Sequence, residues 1–97
     1  MKQYVIIARD GKDDKAPDRR METRPLHLAG ASRLKANNNF IIGGAFLNDA
    51  GQMVGSVMIV QFETEDDFTN WYNNEPYITG GVWTTIEVTP FKVAEVS

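Results

Sequence analysis

The alternation of apolar runs with turn residues predicts an α+β fold with four strands and two helices in the order β-α-β-β-α-β. Three observations carry this reading: runs rich in β-branched and aromatic residues at both ends and in the middle of the chain, two helix-spaced segments between them, and a short polar link joining the two central runs. The chain has 97 residues, a length that suits one domain with a small core.

Residues 2–9 (KQYVIIAR) read as a mostly buried strand, because Val5, Ile6 and Ile7 point to both faces. Residues 10–17 (DGKDDKAP) are a loop by composition. A helix is expected over 18–38, with Asp18 as its N-cap after Pro17 and with Met21, Leu28, Ala31 and Leu34 on one broad face. Pro25 cannot donate a backbone hydrogen bond, so a kink is expected there, or a fresh start after Thr23. Asn37-Asn38-Asn39 suits a helix stop.

Residues 40–47 (FIIGGAFL) and 53–63 (MVGSVMIVQFE) read as strands joined by a hairpin at 48–52 (NDAGQ). The second helix is expected to begin at Thr64, with Glu65, Asp66 and Asp67 in the first turn, where acids satisfy free N–H groups. Phe68, Trp71 and Tyr72 fall on its core face. Residues 75–81 are expected as a loop or a short turn of helix, and 82–93 as the last strand, with Pro90 near its end.

Two β-α-β units joined by a hairpin define the split, ferredoxin-like arrangement: one antiparallel sheet with both helices on one face. Met58, Val60 and Phe62 then point one way and Val57 and Ile59 the other. In the last strand Val82, Ile86 and Val88 are expected to oppose Trp83 and Phe91. A small monomer does not leave so much apolar sheet bare. The expected partner is a second copy of the chain, packed sheet to sheet, with Trp83 or Ile59 on the shared face.

Composition narrows the functions. Cysteine is absent and only one histidine is present, which excludes a disulfide scaffold and a thiolate metal site and argues against structural zinc. No run reaches the ~18 apolar residues of a membrane helix, and the N-terminal apolar run is too short for a signal peptide. A cytoplasmic protein with no membrane partner is expected. The net charge of −3 argues against a nucleic-acid partner. Residues 1–36 hold nine of the ten Lys and Arg residues against five acids, for +4; residues 37–97 hold one base against eight acids, for −7. Either the halves attract each other, or the first half supplies an anion site.

His27 is the only histidine. On a regular helix Arg20, Arg24, His27 and Ala31 lie along one line, so two guanidinium groups flank an imidazole in a stripe suited to a carboxylate, phosphate or enolate. The spacing equally allows a half-buried histidine bonded to a strand, with both arginines solvated. Asp10, at the end of the first strand, and Glu75, at the end of the second helix, are the carboxylates that can reach the sheet edge; either beside His27 would fix its tautomer for acid–base work. No phosphate loop, nucleophile elbow, dinucleotide fingerprint or metal motif is present. Chemistry without a cofactor or metal is therefore expected.

The segment Arg24-Pro25-Leu26-His27-Leu28 resembles that of the YciI-like (YCII-related) family. The resemblance spans nearly the whole chain. It includes the opening strand from Tyr4 to Asp10, the glycine-containing second strand, Glu75-Pro76-Tyr77 followed by Gly81-Val82, and the closing Pro90-Phe91-Lys92. It implies that residues 1–97 form one YciI-like domain of the dimeric α/β-barrel type, with an active site around the helix-one histidine, here His27, and an aspartate. The family usually has Asp before the Pro-Tyr or Pro-Phe pair, where this chain has the longer Glu75.

The function expected is proton transfer or elimination on a small anionic molecule. His27 is then the general base or acid, Glu75 or Asp10 its orienting carboxylate, and Arg24, Arg20 and Tyr77 the substrate-binding residues. The rival is a non-catalytic dimeric module that binds a small ligand.

Overall fold

The computed structural model describes residues 1–97. Its elements are β1 (Lys2–Asp10), α1 (Ala16–Ala36), β2 (Phe40–Leu47), β3 (Met53–Phe62), α2 (Glu65–Asn74), α3 (Pro76–Thr79) and β4 (Trp83–Phe91). The strands form one antiparallel sheet in the order β2-β3-β1-β4. This is the ferredoxin-like arrangement, with α3 added as a single turn before the last strand. No helix is long and apolar enough to cross a membrane.

The core lies between the sheet and the helices. Ile6 and Ala8 of β1 and Met58, Val60 and Phe62 of β3 are buried with Leu34 of α1, Phe68 of α2 and Tyr77 of α3. The sheet register pairs Ile6 with Met58 and Ala8 with Ser56, so these residues share one face. Thr64 caps α2 by accepting from the Asp67 N–H at 3.1 Å. Phe68 is buried against Tyr4, whose ring stacks on it at 4.2 Å.

On the other face, Val5 pairs with Ile59 and Ile7 with Val57, while Ile42 extends the row from β2. Val5, Ile7, Val57 and Ile59 are only half-buried, and Ile42 is 60% exposed.

Four local expectations are corrected. Helix α1 begins at Ala16, not at Asp18; Lys15 is its cap residue and Pro17 and Asp18 lie in the first turn, because proline fits a position whose N–H has no partner anyway. It also runs unbroken through Pro25. Pro25 and Met21 sit on the exposed side, where water can serve the carbonyl that proline cannot. The inward stripe of α1 is Ala16, Arg20, Thr23, His27, Gly30 and Leu34, at alternating spacings of four and three. Met21 and Leu28, expected in the core, are 53% and 45% exposed.

The fourth correction concerns Trp83. Arg9 pairs with Thr85 but Asp10 pairs with Trp83, so Thr84 is an extra residue and the alternation of β4 reverses across it. Trp83 therefore shares the helix-side face with Ile86 and is buried in the core, not presented to a second chain.

Candidate active site

Glu75 sits between α2 and α3, and Pro76 dictates its conformation. A residue before proline is driven out of the helical region, and Glu75 takes φ −66° and ψ 123°, which ends α2. Its side chain folds back so that Oε1 accepts the Tyr77 N–H at 3.0 Å and caps α3. The same oxygen meets His27 Nδ1 at 2.6 Å, and Glu75 is only 2% exposed. Because Oε1 already accepts from an amide, it is His27 Nδ1–H that donates to it. Nε2 then carries the lone pair of the neutral ring, and it makes no hydrogen bond within the protein.

Aromatic rings fix the plane of the imidazole. Tyr77 stacks on His27 at 3.9 Å and 10°, and Trp83 meets it edge-on at 5.9 Å. Burial pushes the Tyr77 phenol above its usual value of 10.0, while the Arg20 and Arg24 charges pull it the other way. The Tyr77 hydroxyl is buried with no partner.

The two arginines of the predicted stripe have different fates. Arg20 is buried; Nη1 donates to both oxygens of Asp10, at 2.9 and 3.1 Å, and Nη2 donates to Ser56 Oγ at 2.9 Å. Trp83 Nε1 donates to the same Ser56 oxygen at 3.2 Å, and the Arg20 guanidinium lies 4.8 Å from the Tyr77 ring centre. Asp10 is thus spent on Arg20 and does not pair with His27. Arg24, one turn on, makes no ion pair or side-chain hydrogen bond. The arginine ion pairs, Arg19–Asp13 and Arg20–Asp10, both lie within the basic half of the chain; only His27–Glu75 joins the halves.

Arg20, Arg24, His27 and Ala31 line one pocket of about 180 Å³ between α1 and the β2–β3 end of the sheet. Phe40, Gly43, Met58, Ser56 and Tyr77 complete much of its wall. Sequence reasoning missed Ser56 and Phe40. The signal for Ser56 was available: it is the polar member of an otherwise apolar inward row with Met58, Val60 and Phe62. No group of three or more His, Cys, Asp or Glu side chains is placed to hold a metal ion.

Fold and site together define a ferredoxin-like α+β protein whose long helix presents a carboxylate-held histidine to a pocket over the sheet. The chain belongs to the YCII-related domain family, which matches residues 2–92. It is 33% identical to Protein YciI of Escherichia coli O6:H1 over 95 residues, covering 92% of this chain and 95% of that one. An uncharacterized protein of Haemophilus influenzae is 32% identical over 96 residues, with the same coverage of both chains. Among solved structures, the 5-chloro-2-hydroxyhydroquinone dehydrochlorinase TftG of Burkholderia phenoliruptrix AC1100, in complex with 2,5-dihydroxybenzoquinone, is similar with a TM-score of 0.78 at 25% identity, covering 95% of each chain. A dimeric ferredoxin-like protein from Jannaschia shares the fold, with a TM-score of 0.58 at 12% identity over 96% of this chain and all of that one.

Proposed function

We propose that this protein is a small enzyme that carries out proton transfer or elimination on a compact anionic organic molecule, without a cofactor. The observation that carries this reading is the 2.6 Å His27–Glu75 contact at the wall of a pocket. Glu75 holds Nδ1–H, so Nε2 takes a proton from a substrate C–H or O–H. The pair released from that bond enters a new double bond. A leaving group then departs with its own electron pair, or the proton returns at another atom. Arg24 stabilises the oxygen on which negative charge gathers. Asp10 acts at one remove, by fixing Arg20, and Arg20 and Tyr77 shape the wall and hold the imidazole plane. The likeness to TftG, a dehydrochlorinase by name, supports the elimination branch.

The protein acts as one domain paired with a second copy of itself. The support is the helix-free row of Val5, Ile7, Ile42, Val57 and Ile59, which a second sheet would bury.

The test measures chloride release from 5-chloro-2-hydroxyhydroquinone, and solvent-deuterium uptake into small enolisable anions, for wild type and His27→Ala. Wild type is expected to exceed the variant by ~100-fold or more, the usual contribution of a positioned general base. Equal rates throughout, with ligand still bound, refute catalysis and leave a binding module.

A further inference from the structure

The pocket carries more information than the presence of a base. Its lining contains no Asp or Glu. The Arg20 charge is neutralised by Asp10 at 2.9 Å, and His27 is held by Glu75. Arg24 is therefore the one cation facing the pocket without a partner, and the site is matched to one negative charge. Ser56 Oγ is taken up by Arg20 and Trp83, and beside it and Tyr77 the wall is mostly apolar: Leu28 and Ala31 from α1, Phe40 and Gly43 from β2, Met53 and Met58 from β3.

Size adds a second constraint. An enclosed, dry apolar cavity of about 150 Å³ holds one benzene, and this pocket, open to solvent at the Leu28 rim, measures about 180 Å³. The surplus suits one or two small substituents on a single ring. Gly43 pairs with Met58 in the sheet and so faces the pocket side. A Cβ at Gly43 would lie 3.1 and 3.2 Å from the edge of the Phe40 ring. Any larger residue there must displace Phe40 or enter the pocket.

Building on the pocket as the substrate site, we infer that it takes a single six-membered ring bearing one ionised oxygen, with Gly43 setting the room for the ring and Arg24 holding the charge. Phe40 and Met58 flank the ring, and the ionised oxygen directs the reacting atom toward His27 Nε2. An acyclic anion would satisfy Arg24 but leave the apolar wall unfilled. A neutral ring would fill the wall but leave Arg24 unpaired.

The experiment is binding, read by calorimetry and by the His27 ring signals in NMR, with four probes: benzoate and 4-nitrophenolate as single-ring anions, acetate as the acyclic anion, and benzyl alcohol as the neutral ring. Both ring anions are expected to bind at least about tenfold tighter than acetate, because only they bury a ring. Arg24→Gln should weaken the ring anions by about tenfold or more, the scale of a lost charge-assisted hydrogen bond, and leave benzyl alcohol unchanged. Gly43→Val should weaken all three ring probes. Leu28→Trp, at the exposed rim, should do the same without touching the sheet, and it decides the matter if Gly43→Val does not fold. Acetate binding as tightly as benzoate, or ring anions indifferent to Arg24→Gln, overturns the inference. Ring binding in a protein that shows no proton exchange upholds it and refutes the catalytic reading instead.

Discussion

Replacing Glu75 tests how much the His27–Glu75 contact holds. Glu75→Ala removes a hydrogen bond from His27 Nδ1 at 2.6 Å and one from the Tyr77 amide at 3.0 Å. A buried bond to a charged group contributes about 1.5–3 kcal/mol, and its loss strands the donor. Two such losses give a destabilisation of about 3–6 kcal/mol, out of a total stability of roughly 5–15 kcal/mol for a chain of this length. At about 4–8 °C per kcal/mol, the thermal midpoint should fall by about 12 °C or more. His27→Ala should cost about 3–5 kcal/mol, because it leaves a buried carboxylate with one donor fewer. Once Glu75 is gone, that penalty has nothing to act on. The double variant should therefore be more stable than the sum of the singles implies, by about 1.5–3 kcal/mol. Urea unfolding of the four proteins measures this coupling. Additivity within about 0.5 kcal/mol would show that the two side chains do not interact and would remove the basis for the proposed base.

Further outcomes follow from the same geometry. Tyr77→Phe deletes a buried hydroxyl without a partner and should stabilise the fold by about 1 kcal/mol. Since the folded phenol titrates above 10.0, its contribution is intact below that pH and is lost as pH rises through the folded value; the advantage of Tyr77→Phe, measured by thermal melts, should widen above pH 10. Arg20→Ala strands the buried Asp10 carboxylate and should cost about 3–5 kcal/mol, whereas Arg24→Ala, which breaks no bond, should stay within about 0.5 kcal/mol; denaturant midpoints separate the two. Ile59→Asp should shift the light-scattering mass from dimer to monomer with secondary structure kept, while Trp83→Asp should unfold the chain, as circular dichroism would show.

The strand order was legible because β-branched runs and turn residues mark strands locally, and the hairpin and β-α-β lengths leave few ways to connect them. The inward stripe of α1 was not. Hydrophobic periodicity finds a helix face by its apolar residues, and this face is made of Ala16, Arg20, Thr23, His27, Gly30 and Leu34. The site has displaced the core from its own helix, so Met21 faces outward and Leu28 reaches only the rim of the pocket. What revealed the site was the polar line of Arg20, Arg24 and His27, which a continuous helix preserves. Trp83 was misplaced for a different reason: strict alternation has no symbol for an extra residue, and Thr84 is one. Glu75 and Asp10 were both legible as carboxylates at the sheet edge. Which of them meets His27 depends on Arg20, whose guanidinium claims Asp10 and leaves Glu75 to the imidazole.

Glu75 Oε1 serves a backbone amide and an imidazole at once, and this ties the chemistry to a clock. The Tyr77 amide can exchange with deuterated solvent only when the single turn of α3 opens and that oxygen lets go, and the same opening releases His27 Nδ1. The exchange rate of one amide proton thus counts how often the base is disassembled, in the intact protein and with no substrate present. Any bound molecule that needs the imidazole held in place must slow that proton, by the factor with which it favours the closed turn.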